Sequence, residues 1–140
     1  MDRTASARWE GGLKDGKGTI STESGVLDAS YSFSKRFEDE KGTNPEELIG
    51  AAHASCFSMA LSMILGEKGY TADSIETSAK VTLSQSDAGF DISKIHLDVV
   101  AAISGADDAA FQEAAETAKA NCPVSKVLKA DISMTAKLKG

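Results

Sequence analysis

The sequence predicts an α+β domain, on three observations. One long stretch, Thr43–Gly69, carries helix signals at both ends and no formal charge between Leu48 and Gly66. Segments of period-two alternation lie both before and after it. Glycine-rich turns separate those segments into hairpin-sized pieces. At 140 residues the chain has the length of one domain, 1–140, with enough material for a core.

The first strand is expected over Thr4–Trp9, where small and large residues alternate. Glu10–Gly18 holds four glycines among Lys and Asp and reads as a turn. Thr19–Ser24 then continues as the hairpin partner. Ser30–Phe37 alternates Tyr31, Phe33, Lys35 and Phe37 against Ser and Arg36, and is expected to be a third strand. Glu38–Gly42 is a charged loop leading into the next helix, with its acidic part, Glu38–Glu40, read as solvated.

The central helix follows. Thr43 with Glu46, or Asn44 with Glu47, fits a capping box, and Pro45 suits the first turn, where its missing N–H has no helical partner. Gly66, Lys68 and Gly69 supply left-handed turns and a positive charge at the other end. Apolar residues occupy every side of the wheel, so the helix is expected to be buried all round. The 19 uncharged residues are also long enough to span a bilayer. His53, Ser55, Ser58, Ser62 and several alanines make them only weakly hydrophobic, and no membrane role is expected.

Beyond the helix, Ser74–Ser86 alternates as a half-buried strand, Asp87–Gly89 turns, and Ile92–Ile103 returns as its partner. Asp107–Asn121 is a helix with Ala110, Phe111, Ala114, Ala115 and Ala118 on one face. Pro123 restarts the chain as the first residue of a short helix, Val124–Lys129. Ala130–Lys139 alternates again as the last strand. The result is antiparallel strands on either side of a buried helix. One small domain cannot easily wrap such a helix alone, so a homodimer with the two helices packed together is expected.

Composition narrows the function. Apolar content of 41% and charged content of 26% are ordinary for a globular protein. A net charge of −6 with no basic stripe argues against a nucleic-acid partner. Met1–Gly12 lacks the apolar core of a signal peptide, and the expected location is the reducing cytoplasm.

The chemistry rests on two cysteines, Cys56 in mid-helix and Cys122, 66 positions later. Spacing alone leaves three readings open. In the first, both are small buried hydrophobes. In the second, they are redox thiols, one oxidised by peroxide to a sulfenic acid and the other condensing with it. In the third, they join His53 and His96 around a metal, although the paired spacing of metal motifs is absent and no metal or other cofactor is expected. His53 taken alone is a packed or hydrogen-bonded core histidine, and Met59 and Met63 are core residues. A reactive Cys56 would need a cation from elsewhere, since a mid-helix residue gains little from the helix dipole. Arg36, on the strand before the helix, is the candidate.

The run from Arg36 through Glu38 and Lys41–Ala60 resembles the OsmC/Ohr family of thiol peroxidases. So do Asp87–Phe90 and Asn121–Leu128, and the resemblance extends over essentially the whole chain. The segment Gly50–Ser62 is similar to the OsmC branch, with His53 where the Ohr branch usually carries tyrosine. The resemblance implies an OsmC-like fold, an intertwined homodimer with sheets wrapping two central helices. It implies an organic hydroperoxide reductase with Cys56 as the peroxidatic and Cys122 as the resolving cysteine. Arg36 would stabilise the thiolate, Glu46 would position Arg36, and a dithiol reductant of lipoyl type would reset the site. Glu46 and Cys56 are ten residues apart on one helix, about 15 Å along its axis and about 80° apart around it. If both serve one site, the glutamate is expected from the other subunit. The competing reading is a non-catalytic dimeric protein that binds a small apolar ligand and keeps inert cysteines.

Overall fold

The computed structural model describes residues 1–140, which form an α+β fold of two three-stranded sheets and four helices. The chain divides into two compact units, Met1–Leu48 and Ile49–Gly140.

In the first unit, β1 (Ala5–Glu10), β2 (Lys17–Thr22) and β3 (Asp28–Tyr31) form an antiparallel sheet in that order. Gly11, at φ +91°, provides the left-handed step of the first turn, which the Gly16 N–H closes on the Gly12 carbonyl at 2.8 Å. Trp9 and Tyr31 meet with ring centroids 5.3 Å apart. Gly18 lies opposite Tyr31 in the register and is the one fully buried residue of this unit.

The expected third strand over Ser30–Phe37 is corrected here. The strand ends at Tyr31, and Phe33–Phe37 is a helical turn, α1. Ser32 caps it, its hydroxyl accepting the Lys35 N–H at 3.3 Å. Phe33 and Phe37 stack across one turn with centroids 4.9 Å apart. A four-residue spacing is a multiple of two and also one helical turn, so the aromatics alone fit both periods. Arg36 is therefore a helix residue, not a strand residue.

The long helix α2 (Pro45–Glu67) begins at the end of the first unit and continues through the second. Asn44 is its cap, its side-chain oxygen accepting the Glu47 N–H at 2.8 Å, with Pro45 in the first turn. At the far end Gly69 alone takes a left-handed conformation, φ +84°. The Tyr70 N–H closes back on the Leu65 carbonyl at 2.9 Å.

The second unit has a core. Strands β4 (Ala72–Ser86) and β5 (Gly89–Ile103) form a long antiparallel hairpin. α3 (Asp108–Asn121) and the five-residue α4 (Pro123–Val127) lead on to β6 (Asp131–Leu138). The expectation of wholly antiparallel sheets is corrected by β6, which pairs with β5 in parallel. Parallel neighbours need a crossover connection, and the two helices form it. Ile95, Leu97, Val99, Ala101 and Ile103 alternate inward from β5. They meet Phe111, Ala114, Ala115 and Ala118 of α3 and Phe57, Leu61 and Leu65 of α2. A Cβ added at Gly50 would stand 3.3 Å from the Ala79 carbonyl oxygen, so the absent side chain lets α2 approach β4 closely.

The expectation of a helix buried all round is also corrected. Within the chain α2 buries one stripe, Gly50, His53, Phe57, Leu61 and Leu65, at the three- and four-residue steps of a single face. The opposite side carries Ala52, Ser55, Met59, Ser62, Met63 and Gly66, all exposed, with Met59 at 76% and Met63 at 62%. By length and composition α2 is apolar enough to cross a membrane.

Candidate active site

Four residues were expected to share a site, and they occur as two pairs. The first pair lies in the first unit. The Arg36 guanidinium donates from Nη2 and Nε to the same Glu46 oxygen, at 2.8 and 3.2 Å. It also stands over the Phe37 ring, 5.1 Å from the centroid. The Arg36 side chain is about one-third exposed. The helical turn of α1 presents the arginine, and the first turn of α2 presents the glutamate.

The second pair lies in the second unit. Cys56 is half-buried on α2, beside the His53–Phe57 stripe. Cys122 is fully buried at the junction of α3 and α4, ending one helix and capping the next. Its backbone N–H closes α3 on the Ala118 carbonyl at 2.9 Å, while Pro123 starts α4. The two thiols are free and near neighbours, and Cys122 and the Val124 backbone are the groups that act on the Cys56 thiol.

The electrostatics of Cys56 depart from what a peroxidatic thiol needs. Burial pushes its thiol up from the ordinary range, and the neighbouring Cys122 adds to the rise; the Val124 N–H opposes it.

Two residues complete the surroundings of Cys122. The Ser125 N–H donates to the Cys122 sulfur at 3.4 Å, and the Ser125 hydroxyl lies 3.0 Å from the same atom. That hydroxyl also lies 2.7 Å from Nε2 of His53, which is fully buried. Burial lowers the His53 pKa, so the ring is neutral at neutral pH. Its Nδ1 has no hydrogen-bond partner. Ser125 was not among the residues singled out from sequence. The available signal was its place three residues after Cys122, the spacing at which a capping side chain meets a backbone N–H.

His96 lies elsewhere, on an exposed face of the second sheet with Ser133, Thr135 and Asp98. No cluster of three His, Cys, Asp or Glu side chains is arranged to hold a metal. The buried site thus brings two free thiols together with the Ser125 hydroxyl and the His53 ring.

Comparison with known proteins bears on this arrangement. The family model for OsmC-like proteins matches residues 38–137. Peroxiredoxin OsmC of Escherichia coli K12 is 58% identical over 140 residues, covering 99% of this chain and 98% of its own. Organic hydroperoxide resistance protein OhrB of Bacillus subtilis 168 is 33% identical over 87% of this chain and 89% of its own. The crystal structure of Bacillus subtilis OhrB superposes with a TM-score of 0.68 over 97% of this chain and 98% of that one, at 29% identity. An OsmC-like protein of Vibrio cholerae reaches a TM-score of 0.78 over 97% of this chain and 99% of that one at 17% identity, a likeness of fold. With a full-length relative at 58% identity and a family match that spans both cysteines, this chain belongs to the OsmC-like family.

Proposed function

We propose that the protein is a thiol-dependent peroxidase that reduces organic hydroperoxides to alcohols. The observation that carries this reading is the neighbouring pair of free thiols, one half-buried and one fully buried, in a chain similar to a peroxiredoxin OsmC and an organic hydroperoxide resistance protein.

The Cys56 thiolate attacks the distal oxygen of the hydroperoxide. The S–O bond forms, the O–O bond breaks, and the alkoxide leaves as alcohol after taking a proton. Cys122 then attacks the Cys56 sulfenic sulfur, an S–S bond replaces the S–O bond, and water leaves. A dithiol, of lipoyl type in this reading, reduces the disulfide in the cytoplasm, where both cysteines persist as thiols.

The raised thiol of Cys56 makes the cation essential. We assign that role to Arg36, oriented by Glu46 and placed at Cys56 in an assembled homodimer. Support for the dimer comes from the exposed face of α2. Ala52, Ser55, Met59, Ser62 and Gly66 recur at steps of three and four, the spacing of a helix–helix seam, and none is charged. A second copy of the helix is the occupant that fits. Sedimentation showing only monomer at micromolar concentration would defeat this assembly.

The raised Cys56 thiol also favours one competitor, a ligand-binding protein with inert cysteines. A titration of Cys56 in the assembled protein separates them. A midpoint well below that of a free thiol supports the peroxidase. A midpoint above it supports the inert reading.

A further inference from the structure

The peroxidase reading leaves one buried titratable group without a task. His53 is fully buried on the inner stripe of α2, where leucine would serve a purely apolar core better. Its one polar contact is Ser125, and Ser125 in turn reaches Cys122. These three side chains form a continuous path, Nε2 to Oγ at 2.7 Å and Oγ to Sγ at 3.0 Å.

The hydroxyl of Ser125 carries one proton, so the path has two polarities. With Cys122 as a thiol, S–H donates to Oγ and the hydroxyl donates to Nε2. With Cys122 as a thiolate, the hydroxyl donates to sulfur and Nε2–H donates to the hydroxyl oxygen. One proton shifted along the path converts the first into the second. The backbone N–H of Ser125 already donates to the sulfur.

We propose that His53, acting through Ser125, takes the proton of Cys122 and so makes it the nucleophile that closes the disulfide. His53 is a positioning residue in this scheme, two hydrogen bonds from the reacting sulfur. In the peroxidase cycle, on which the physiological step rests, the Cys122 proton passes to Ser125 and the Ser125 proton to Nε2. The S–S bond forms, and the hydroxide expelled from Cys56 takes up the proton the imidazolium then releases. The ring, neutral at rest because burial lowers its pKa, is ready to accept. The thiolate held across Ser125 balances the brief imidazolium charge. The scheme uses the Nδ1–H tautomer of His53, which leaves the Nε2 lone pair facing the Ser125 hydroxyl.

The test does not need a peroxide. Cys56 is converted with Ellman's reagent to its mixed disulfide with thionitrobenzoate, and the attack of Cys122 is followed by release of thionitrobenzoate. In that exchange one S–S bond replaces another, and the Cys122 proton follows the same path. The variants are His53→Gln, Ser125→Ala, their combination, and Ser125→Thr, which restores a hydroxyl. Each single loss should slow release about tenfold, as expected when a thiol loses its activation. The double variant should be no slower than the slower single, and Ser125→Thr should recover most of the rate. Unchanged rates in both single variants, slowing that multiplies in the double, or a Ser125→Thr variant as slow as Ser125→Ala would overturn the relay. Oxidation of the wild type by cumene hydroperoxide is measured separately. Fast thionitrobenzoate release without peroxide oxidation would remove the peroxidase reading and leave the relay standing.

Discussion

Residues Ile49–Gly140 contain every buried apolar side chain of the molecule, from Phe57 on α2 to Cys122 at the start of α4. Residues Met1–Leu48 form a three-stranded sheet whose one fully buried residue is Gly18. The same contrast holds for the functional residues. The second unit keeps two thiols in apolar surroundings that push Cys56 up; the first keeps a paired but partly exposed guanidinium, the charge such a thiol lacks. In the proposed peroxidase the thiols come from the second unit and the cation from the first, and the exposed, uncharged face of α2 is the surface proposed to meet a second copy of the chain.

The largest effects that could break this comparison fall on the second unit's thiols. Cys56→Ser should abolish turnover of hydroperoxide with a dithiol. Cys122→Ala should permit one oxidation, visible as a sulfenic acid trapped by dimedone, and then stall. A Cys122→Ala variant that cycles at the wild-type rate would remove the resolving role.

The next effect tests the first unit's half. Arg36→Gln should leave Cys56 with the raised thiol of the isolated unit and slow its oxidation by about 10²-fold at neutral pH, the order of effect of losing one electrostatic stabiliser. Glu46→Gln should act in the same direction but less, since the guanidinium remains. An Arg36 variant oxidised at the wild-type rate would show that the two halves do not cooperate.

Stability should divide the same way. Phe57→Ala empties a fully buried position and should cost about 3–5 kcal/mol in urea unfolding. Val26→Ala, in the first unit and 89% exposed, should stay within about 0.5 kcal/mol. Met59→Lys on the bare face of α2 should shift sedimentation towards monomer.

The smallest effect is with pH. The folded pKa of His53 lies below its unfolded value, near 6.5, so below that pH the unfolded chain binds the extra proton. Stability should therefore be fully present above pH 6.5 and fall as the pH drops through that value towards the folded pKa. His53→Gln should flatten this part of the urea midpoint profile.

Much of the chain from α2 onward was legible in the sequence because its signals are local. Asn44 and Pro45 mark the start of α2, Asp107 caps α3 by accepting the Ala110 N–H at 2.7 Å, and Pro123 opens α4. The hairpin of β4 and β5 follows from two alternating runs about Gly89, at φ +115°. The direction of β6 was not legible, because alternation gives a strand its faces but not its orientation. Phe33–Phe37 was misread because a four-residue aromatic spacing satisfies both periods. The His53–Ser125 contact joins residues 72 positions apart, and no local pattern announces it. Arg36, Glu46, Cys56 and Cys122 were legible through resemblance. Composition alone left their cysteines between redox, metal and structural readings.

The most direct test of the central claim is the second-order rate of Cys56 oxidation by cumene hydroperoxide against hydrogen peroxide, with mass spectrometry of the product. The account predicts fast oxidation, selective for the organic peroxide, ending in a Cys56–Cys122 disulfide. Oxidation no faster than that of a free thiol, with both cysteines recovered reduced, would contradict it.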